Sequence, residues 1–440
     1  VRSRPNQQLG LPLEVRGELF YAKTGTGTSA VSAKVMEEVV ERENLVRALK
    51  QVRKNGGSAG IDKMTVEELT PYLKEHWPEI RAALIQGTYR PQPVRRHEIP
   101  KPNGGMRKLG IPTVLDRFIQ QAILQVLQEE WDSTFSEHSY GFRPGRKAHQ
   151  AIAAAQKYLK EGYAWVVDID LEKFFDRVNH DKLMSEVEKR LEDRRVTRLI
   201  RRYLEAGVLD DDTLCATVEG TPQGGPLSPL LANLLLDELD LELEERGHRF
   251  ARYADDCNIY VKSKRAGDRV MASISGWLKR KLKLTVNEAK SAVGRPWERK
   301  FLGFCFTRKR QRQVSRESME RFKGRIRELT NRHRGCSMKR IAEETGRYIR
   351  GWKAYYGYAE AKTTLFALDT WVRRRLRCYQ WVAWGPSRYR QLRKLGVSQD
   401  LAWNTRKSAH GPWRISMSPA LGIALPNRYF IDLGIPTLSV

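Results

Sequence analysis

"RYADDCNIYV", residues 252–261, decides the fold. Ile259 and Val261 alternate with Asn258 and Tyr260, the period of a half-buried strand. Tyr253-Ala254-Asp255-Asp256 just before them fits a tight turn between two strands. Such a turn projects both carboxylates to one side of a sheet. Two adjacent carboxylates resist ionising together unless cations neutralise them. Hard oxygen ligands in low number suit Mg²⁺. Two ions ~3.5–4 Å apart would activate an attacking hydroxyl and stabilise a leaving phosphate. Alone, an Asp-Asp pair reads as an exposed turn. The metal reading therefore needs a further carboxylate from elsewhere. "VVDIDLEKFFD" (166–176) offers Asp168, Asp170 and Asp176 at the end of an apolar run. A charge placed there is costly unless a metal or cation meets it.

The whole chain carries a formal charge of +27 over 440 residues, an excess that attracts polyanions, with nucleic acid as the default partner. No apolar run approaches the ~18–20 residues of a spanning helix, and no secretory signal opens the chain, so a cytoplasmic location is expected. The five cysteines, Cys215, Cys257, Cys305, Cys336 and Cys378, form no Cys-x-x-Cys pair. They suit a reducing compartment rather than a zinc site or disulfide framework.

Composition divides the chain. Residues 1–34 are Gly-, Ser- and Thr-rich and read as a flexible leader. Val39, Leu45, Val46, Leu49 and Val52 predict an amphipathic helix over Val35–Lys54. Residues 97–112 read as two strands about a Gly-Gly turn, and 117–131 as a helix. The segment 164–175 reads as a strand entering a turn, 227–247 as a deeply buried helix, and 298–307 as a further strand. Past Thr307 arginine and lysine dominate at helical spacing.

"DIDLEKFFD", "EGTPQGGPLSPLLANLLLDELD" and "YADD", in that order, resemble the palm motifs of a reverse transcriptase. The ordered set resembles the reverse transcriptase/maturase encoded by bacterial group II introns, from about Val39 to the end of the chain. The resemblance implies an α/β (α+β) right-hand polymerase: fingers and palm over 35–310, with an antiparallel palm sheet. A helical thumb, the maturase domain X, would cover 311–370, and a short basic DNA-binding segment 371–440. It also matches the compact class without an endonuclease.

The same resemblance assigns roles residue by residue. Asp170, Asp255 and Asp256 would hold two Mg²⁺ ions. Asp170 is preferred to Asp168 because Phe175 then falls five residues on as the aromatic gate that excludes a 2′-hydroxyl. Lys101 and Arg107 match the pair that binds the triphosphate of the incoming dNTP. Gln223 and Gly224 belong to the nucleotide-binding loop, where glycine admits close backbone approach. Lys290 matches the lysine that protonates pyrophosphate. Phe301, Leu302 and Gly303 match the primer grip. Arg143 would hold template or internal structure. In the thumb, Tyr348, Trp352 and Tyr355 or Tyr356 share a face that suits a bundle core, leaving Arg347, Arg350 and Lys353 outward toward phosphates. Arg373, Arg374 and Arg375 lack nearby acids and suggest backbone contact with nucleic acid. The implied partners are intron RNA, an RNA template with a DNA primer, and target DNA. Two other readings remain: a domesticated reverse transcriptase serving defence, repair or diversity generation, and an RNA chaperone with idle catalysis.

Overall fold

The computed structural model describes residues 34–100, 105–210, 213–215, 217, 219–221 and 224–439. The leader lies outside them except for Lys34. The helix expected over Val35–Lys54 is two helices, α1 (Val35–Val39) and α2 (Arg42–Asn55), because Glu41 takes extended backbone and starts the second. Val46 is 59% exposed, against expectation. Asn44 and Ala48 are buried in its place, and the Asn44 amide donates to the Val39 and Ala122 carbonyls.

After α3 (Leu69–Ile85) come β1 (Val94–Pro100) and β2 (Met106–Ile111), an antiparallel hairpin as expected. The helix α4 (Val114–Trp131) is capped by Thr113, whose hydroxyl accepts from the Asp116 amide. Next are α5 (Ala148–Lys160), β3 (Trp165–Ile169), α6 (Phe174–Arg177), α7 (His180–Arg190) and α8 (Arg194–Glu205). The short strands β4 (Val208–Asp210) and β5 (Thr213–Cys215) extend the first hairpin into a sheet ordered β2-β1-β4-β5. The buried helix α9 (Ser228–Glu245) precedes β6 (Arg249–Tyr253) and β7 (Asp256–Val261). Then follow α10 (Lys264–Lys281) and β8 (Ala292–Gly294). The palm sheet is ordered β6-β7-β3-β8 and is antiparallel at every pairing.

Of the strand expected over 298–307, only β9 (Phe304–Phe306) forms, paired with β10 (Arg312–Val314). Leu302 and Gly303 ahead of it adopt left-handed φ of 52° and 81°, which closes a turn in place of a strand. The C-terminal part is helical: α11 (Arg316–Leu329), α12 (Met338–Tyr356), α13 (Lys362–Ala383), α14 (Arg388–Lys394), α15 (Gln399–Lys407), and three shorter helices between Pro412 and Asp432. The division expected at 370/371 falls inside α13.

The palm sheet separates two cores. Val167, Ile169, Phe250 and Ile259 face the core built with α4 and α9, while Val166, Ala251 and Tyr260 face the one shared by α5 and the C-terminal helices. Thus β7 is buried on both faces, not half-buried: Asn258 is 2% exposed and Tyr260 1%. The thumb covers what would otherwise be a solvent face. Fold class is as expected, with an antiparallel palm sheet followed by a helical region.

Candidate active site

The carboxylates gather at one end of the palm sheet. Tyr253 pairs with Asp256, so Ala254 and Asp255 form the two-residue tip of the β6–β7 hairpin. Ala254 takes φ 56°, a left-handed conformation uncommon for a side-chain-bearing residue. Asp170 follows the last residue of β3, and its main chain is fixed. Its amide donates to the Ser291 hydroxyl (2.9 Å) and its carbonyl accepts from the Asn287 amide (2.8 Å). The same Asn287–Ser291 turn carries Lys290, whose Nζ lies 3.4 Å from Asp170 Oδ1.

Burial raises the Asp255 carboxyl, and the Asp170 charge raises it further, while Arg107 and Lys290 pull it down. Asp256 is itself exposed to solvent, although protein atoms crowd its carboxyl. Burial first, then the charges of Asp255, Asp168 and Asp170, push it up to about 7. The Asp170 charge thus reaches both Asp255 and Asp256. Among the described residues no three His, Cys, Asp or Glu side chains form a ready-made metal cage. Mg²⁺ commonly takes one or two carboxylates and fills its other positions with water and substrate phosphates. The donor set therefore fits that ion.

The structure also separates Asp168 from Asp170. Asp168 Oδ2 accepts from Arg299 Nε (3.0 Å) and Nη2 (2.6 Å), and the same guanidinium donates to the Lys290 carbonyl. Asp168 thus holds the Lys290 turn against β3, and Asp170 is left to face the hairpin tip. Next to the acids opens a cavity of about 1160 Å³, lined by Arg107, Leu109, Phe175, Gly224 and Asp255 on one part and by Lys50, Lys54 and Arg117 on another. Phe174 is buried, whereas Phe175 is half-buried and lines the cavity. Gly224 has φ 142°, and a Cβ there would lie 2.5 Å from the Gly110 carbonyl. Its close approach is to β2, where ligand approach was expected. Lys101 and Gln223 lie outside the described residues.

What sequence reasoning missed is the support beneath the tip. Arg252 is fully buried, and all five of its N–H donors are used. Nε donates to Asp240 Oδ1 (2.7 Å), Nη1 to Asn233 Oδ1 and the Ala254 carbonyl (3.0 Å each), and Nη2 to Ser139 Oγ (2.8 Å) and Asp240 Oδ2. Burial lifts Asp240 to about 6 even against the pull of Arg252. Asn233 also donates to the Gly141 carbonyl (2.8 Å), and Gly141 packs so tightly that a Cβ would stand 2.3 Å from the Ala254 nitrogen. One arginine joins α9, the 139–141 segment and the carboxylate-bearing tip. The available signal was a charge, Arg252, beside Phe250 and Ala251 in a strand, with Asp240 among the acids that follow the apolar first half of α9.

Residues 99–306 match the family described as reverse transcriptase (RNA-dependent DNA polymerase), and 319–396 match the group II intron maturase-specific domain. The chain is 34% identical to Protein YkfC of Escherichia coli (strain K12) over 298 residues, covering 59% of this chain and 78% of YkfC. It is 41% identical to the group II intron-encoded protein LtrA of Lactococcus lactis subsp. cremoris over 170 residues, 38% of this chain and 28% of LtrA. The chain belongs to the group II intron reverse transcriptase and maturase family. Among solved structures it is similar to a "Partial Cas6-RT-Cas1--Cas2 complex", 26% identical over 56% of this chain and 42% of that one, with a TM-score of 0.37.

For this reverse transcriptase the remaining expected residues divide. Phe301 and Phe304 exchange main-chain hydrogen bonds (2.8 and 3.0 Å) around the Leu302-Gly303 turn, and Tyr355 of α12 donates to the Leu302 carbonyl (2.8 Å). The aromatic face of α12 is core: Trp352 lies 4.6 Å from Phe322 and 4.5 Å from Tyr356 between ring centroids. Arg347 and Arg350 are exposed, and Arg350 also donates to the Gly434 carbonyl; Lys353 is half-buried.

Several of the cations expected at nucleic acid, with Arg143 for which internal structure was the other reading, are engaged by the fold itself. Arg143 is buried on Asp132 and the Ser136 and Ser139 carbonyls. Arg373 is 3% exposed and donates to the Ile435 and Pro436 carbonyls. Arg374 stacks 3.9 Å from the Trp413 centroid and donates to that residue's carbonyl. Arg375 donates to the Thr330 hydroxyl and carbonyl. Their partners are mostly main-chain carbonyls, which a search for neighbouring acids overlooks. Among the described residues no helix is long and apolar enough to cross a membrane.

Proposed function

We propose that this chain copies intron RNA into DNA during retrohoming and that its helical C-terminal part grips intron RNA to assist splicing. The observation that carries the polymerase reading is the meeting of Asp170, Asp255, Asp256 and Lys290 beside a cavity lined by Arg107 and Phe175. When bound by these carboxylates, a pair of Mg²⁺ ions would supply a lowered pKa at the primer 3′-hydroxyl and neutralise charge on the phosphates.

The chain's own groups do the rest. Arg107, on an exposed hairpin, clamps the triphosphate tail. Phe175 fills the space a ribose 2′-hydroxyl would need. Lys290, fixed through Arg299 and the Asn287 turn, delivers a proton to the departing pyrophosphate. The Phe301–Phe304 turn seats the primer end. The bacterial cytoplasm, where intron RNA and target DNA meet, is the compartment this reading requires. Intact carboxylates with a supporting Arg252 network weigh against an idle chaperone.

Primer extension on RNA with competing nucleotides tests the site assignment. Phe175→Ala should raise ribonucleotide incorporation at least about 10-fold relative to dNTP, since lost steric exclusion of one hydroxyl is worth ~1–3 kcal/mol. Unchanged discrimination would remove Phe175 from the nucleotide site. Intron splicing in the presence and absence of the protein tests the maturase part.

A further inference from the structure

At the end of the palm sheet away from the carboxylates, rings and cations stack in alternation. The Arg295 guanidinium lies 4.0 Å from the Trp165 centroid and 5.6 Å from that of Trp297, and Arg308 lies 5.6 Å from Trp297. Lys262 sits 5.8 Å from the Tyr163 ring. Trp165 pairs with Val261 at this end of β3, and Ile169 with Cys257 at the other. About 16 Å of strand therefore separates the array from Asp170.

The array is built, not a loose charged face. Arg295 is anchored by donating to the Ala164 carbonyl (3.2 Å). The Phe306 amide donates to the Pro296 carbonyl (3.1 Å), tying β9 to the Trp297 segment. The turn that presents Arg308 and Lys309 is closed by the Thr307 amide to the Gln311 carbonyl (2.9 Å) and the Arg310 amide to the Thr307 carbonyl (2.8 Å). Arg310 holds a left-handed φ of 62° and donates to the Lys160 carbonyl. Trp297 is 38% exposed, and Lys262, Arg308 and Lys309 are exposed. Between 295 and 310 the sequence has one acid, Glu298, whose carboxylate caps the Arg295 amide (3.1 Å).

We propose that this end of the palm binds single-stranded RNA, one base stacking on Trp297 and the flanking phosphates meeting Lys262, Arg308 and Lys309. An exposed aromatic ring set among unneutralised cations is the pattern of a base-stacking platform. A protein interface would deplete charge at its centre. A duplex could use the cations but not the ring, because its bases are already stacked. The strand has two sources of the same chemistry: the unpaired part of the copied template, or a second RNA segment bound beside it.

The test titrates a labelled, unstructured 12-nucleotide RNA onto the full chain whose cleft is filled with an unlabelled blunt RNA–DNA primer–template, alongside a blunt RNA duplex of the same sequence. Trp297→Ala should weaken the single strand at least about 5-fold and leave the duplex unchanged, since stacking is worth ~1–3 kcal/mol per base. Arg308→Gln/Lys309→Gln should flatten the salt dependence by about 1.4 units, at ~0.7 per phosphate. Trp297→Phe should retain most binding. A 4-thiouridine probe should cross-link within 295–310. Equal loss on duplex and single strand, or unchanged affinity in Trp297→Ala with intact thermal stability, would overturn the proposal. Repeating the titration with primer–templates of short and long 5′ overhang separates the sources: competition by the long overhang identifies the template, and its absence the second segment. Asp255→Ala/Asp256→Ala should bind the labelled strand normally, so failure of the polymerase reading leaves this result readable.

Discussion

At the scale of single residues the site is an arrangement of charges held against their preference. Asp256 is raised from 3.8 to about 7, chiefly by burial and then by its acidic neighbours. The native state thus binds more protons than the unfolded chain between those values. Stability falls as pH rises through that window and the penalty is complete above about pH 7. In EDTA at pH 8, Asp256→Asn should therefore raise Tm by about 2–4 °C, the gain trimmed by solvent screening. A calorimetric scan showing a lower Tm would mean the carboxylate is paired rather than strained. Arg252 makes the second residue-scale prediction. Lysine offers a point charge with three donors where the guanidinium fork uses five. Arg252→Lys should leave the dNTP KM near its original value and lower kcat about 10- to 100-fold, the cost of an ångström-scale misplacement of reacting groups. Equal kcat in a folded variant would reduce the network to a packing role. The acids could be singled out in the sequence because motif spacing marks them. The arginine that supports them was not, because its partners come from residues 139, 233 and 240 and meet only in the folded chain.

At the scale of elements, the hairpin tip between β6 and β7 is shaped by what crosses it. Gly141 passes so close to Ala254 that any Cβ displaces the tip carrying Asp255. Gly141→Ala should cut primer extension at least about 10-fold. Gly324→Ala, in α11 with nothing within 4 Å of the added Cβ, should stabilise by about 0.5–1 kcal/mol and leave extension unchanged. Parallel extension and melting assays check both. A Gly141→Ala enzyme of full activity would show that the tip tolerates displacement. The long helices α4 and α9 follow from their apolar residues, and β7 was legible as a strand although its burial on both faces was not. The break between α1 and α2 and the turn at 301–304 do not, since Glu41 and Leu302 adopt backbone conformations that their side chains do not announce.

At the scale of the whole molecule, the palm sheet is a wall between two cores, and the end of that wall carrying Asp255 borders a cavity lined from α2, β2 and α4. The excess of +27 is not all available to a polyanion. Arg143, Arg373, Arg374 and Arg375 each donate to oxygens of the fold, so counting arginines overstates the nucleic-acid surface. What sequence could not supply is this division between cations that serve the fold and cations that face outward. The central claim, that Asp170 and Asp255 act together while Asp168 serves Arg299, is tested most directly by single-turnover incorporation of one dNTP on an RNA template. Asp170→Ala, Asp255→Ala and Asp168→Asn would each be measured at saturating Mg²⁺. A loss of about 10³-fold or more is expected in the first two, comparable to removing a principal source of transition-state charge stabilisation, with substantial turnover retained in Asp168→Asn. Robust incorporation by a folded Asp255→Ala or Asp170→Ala protein, or an equal loss in Asp168→Asn, would contradict it.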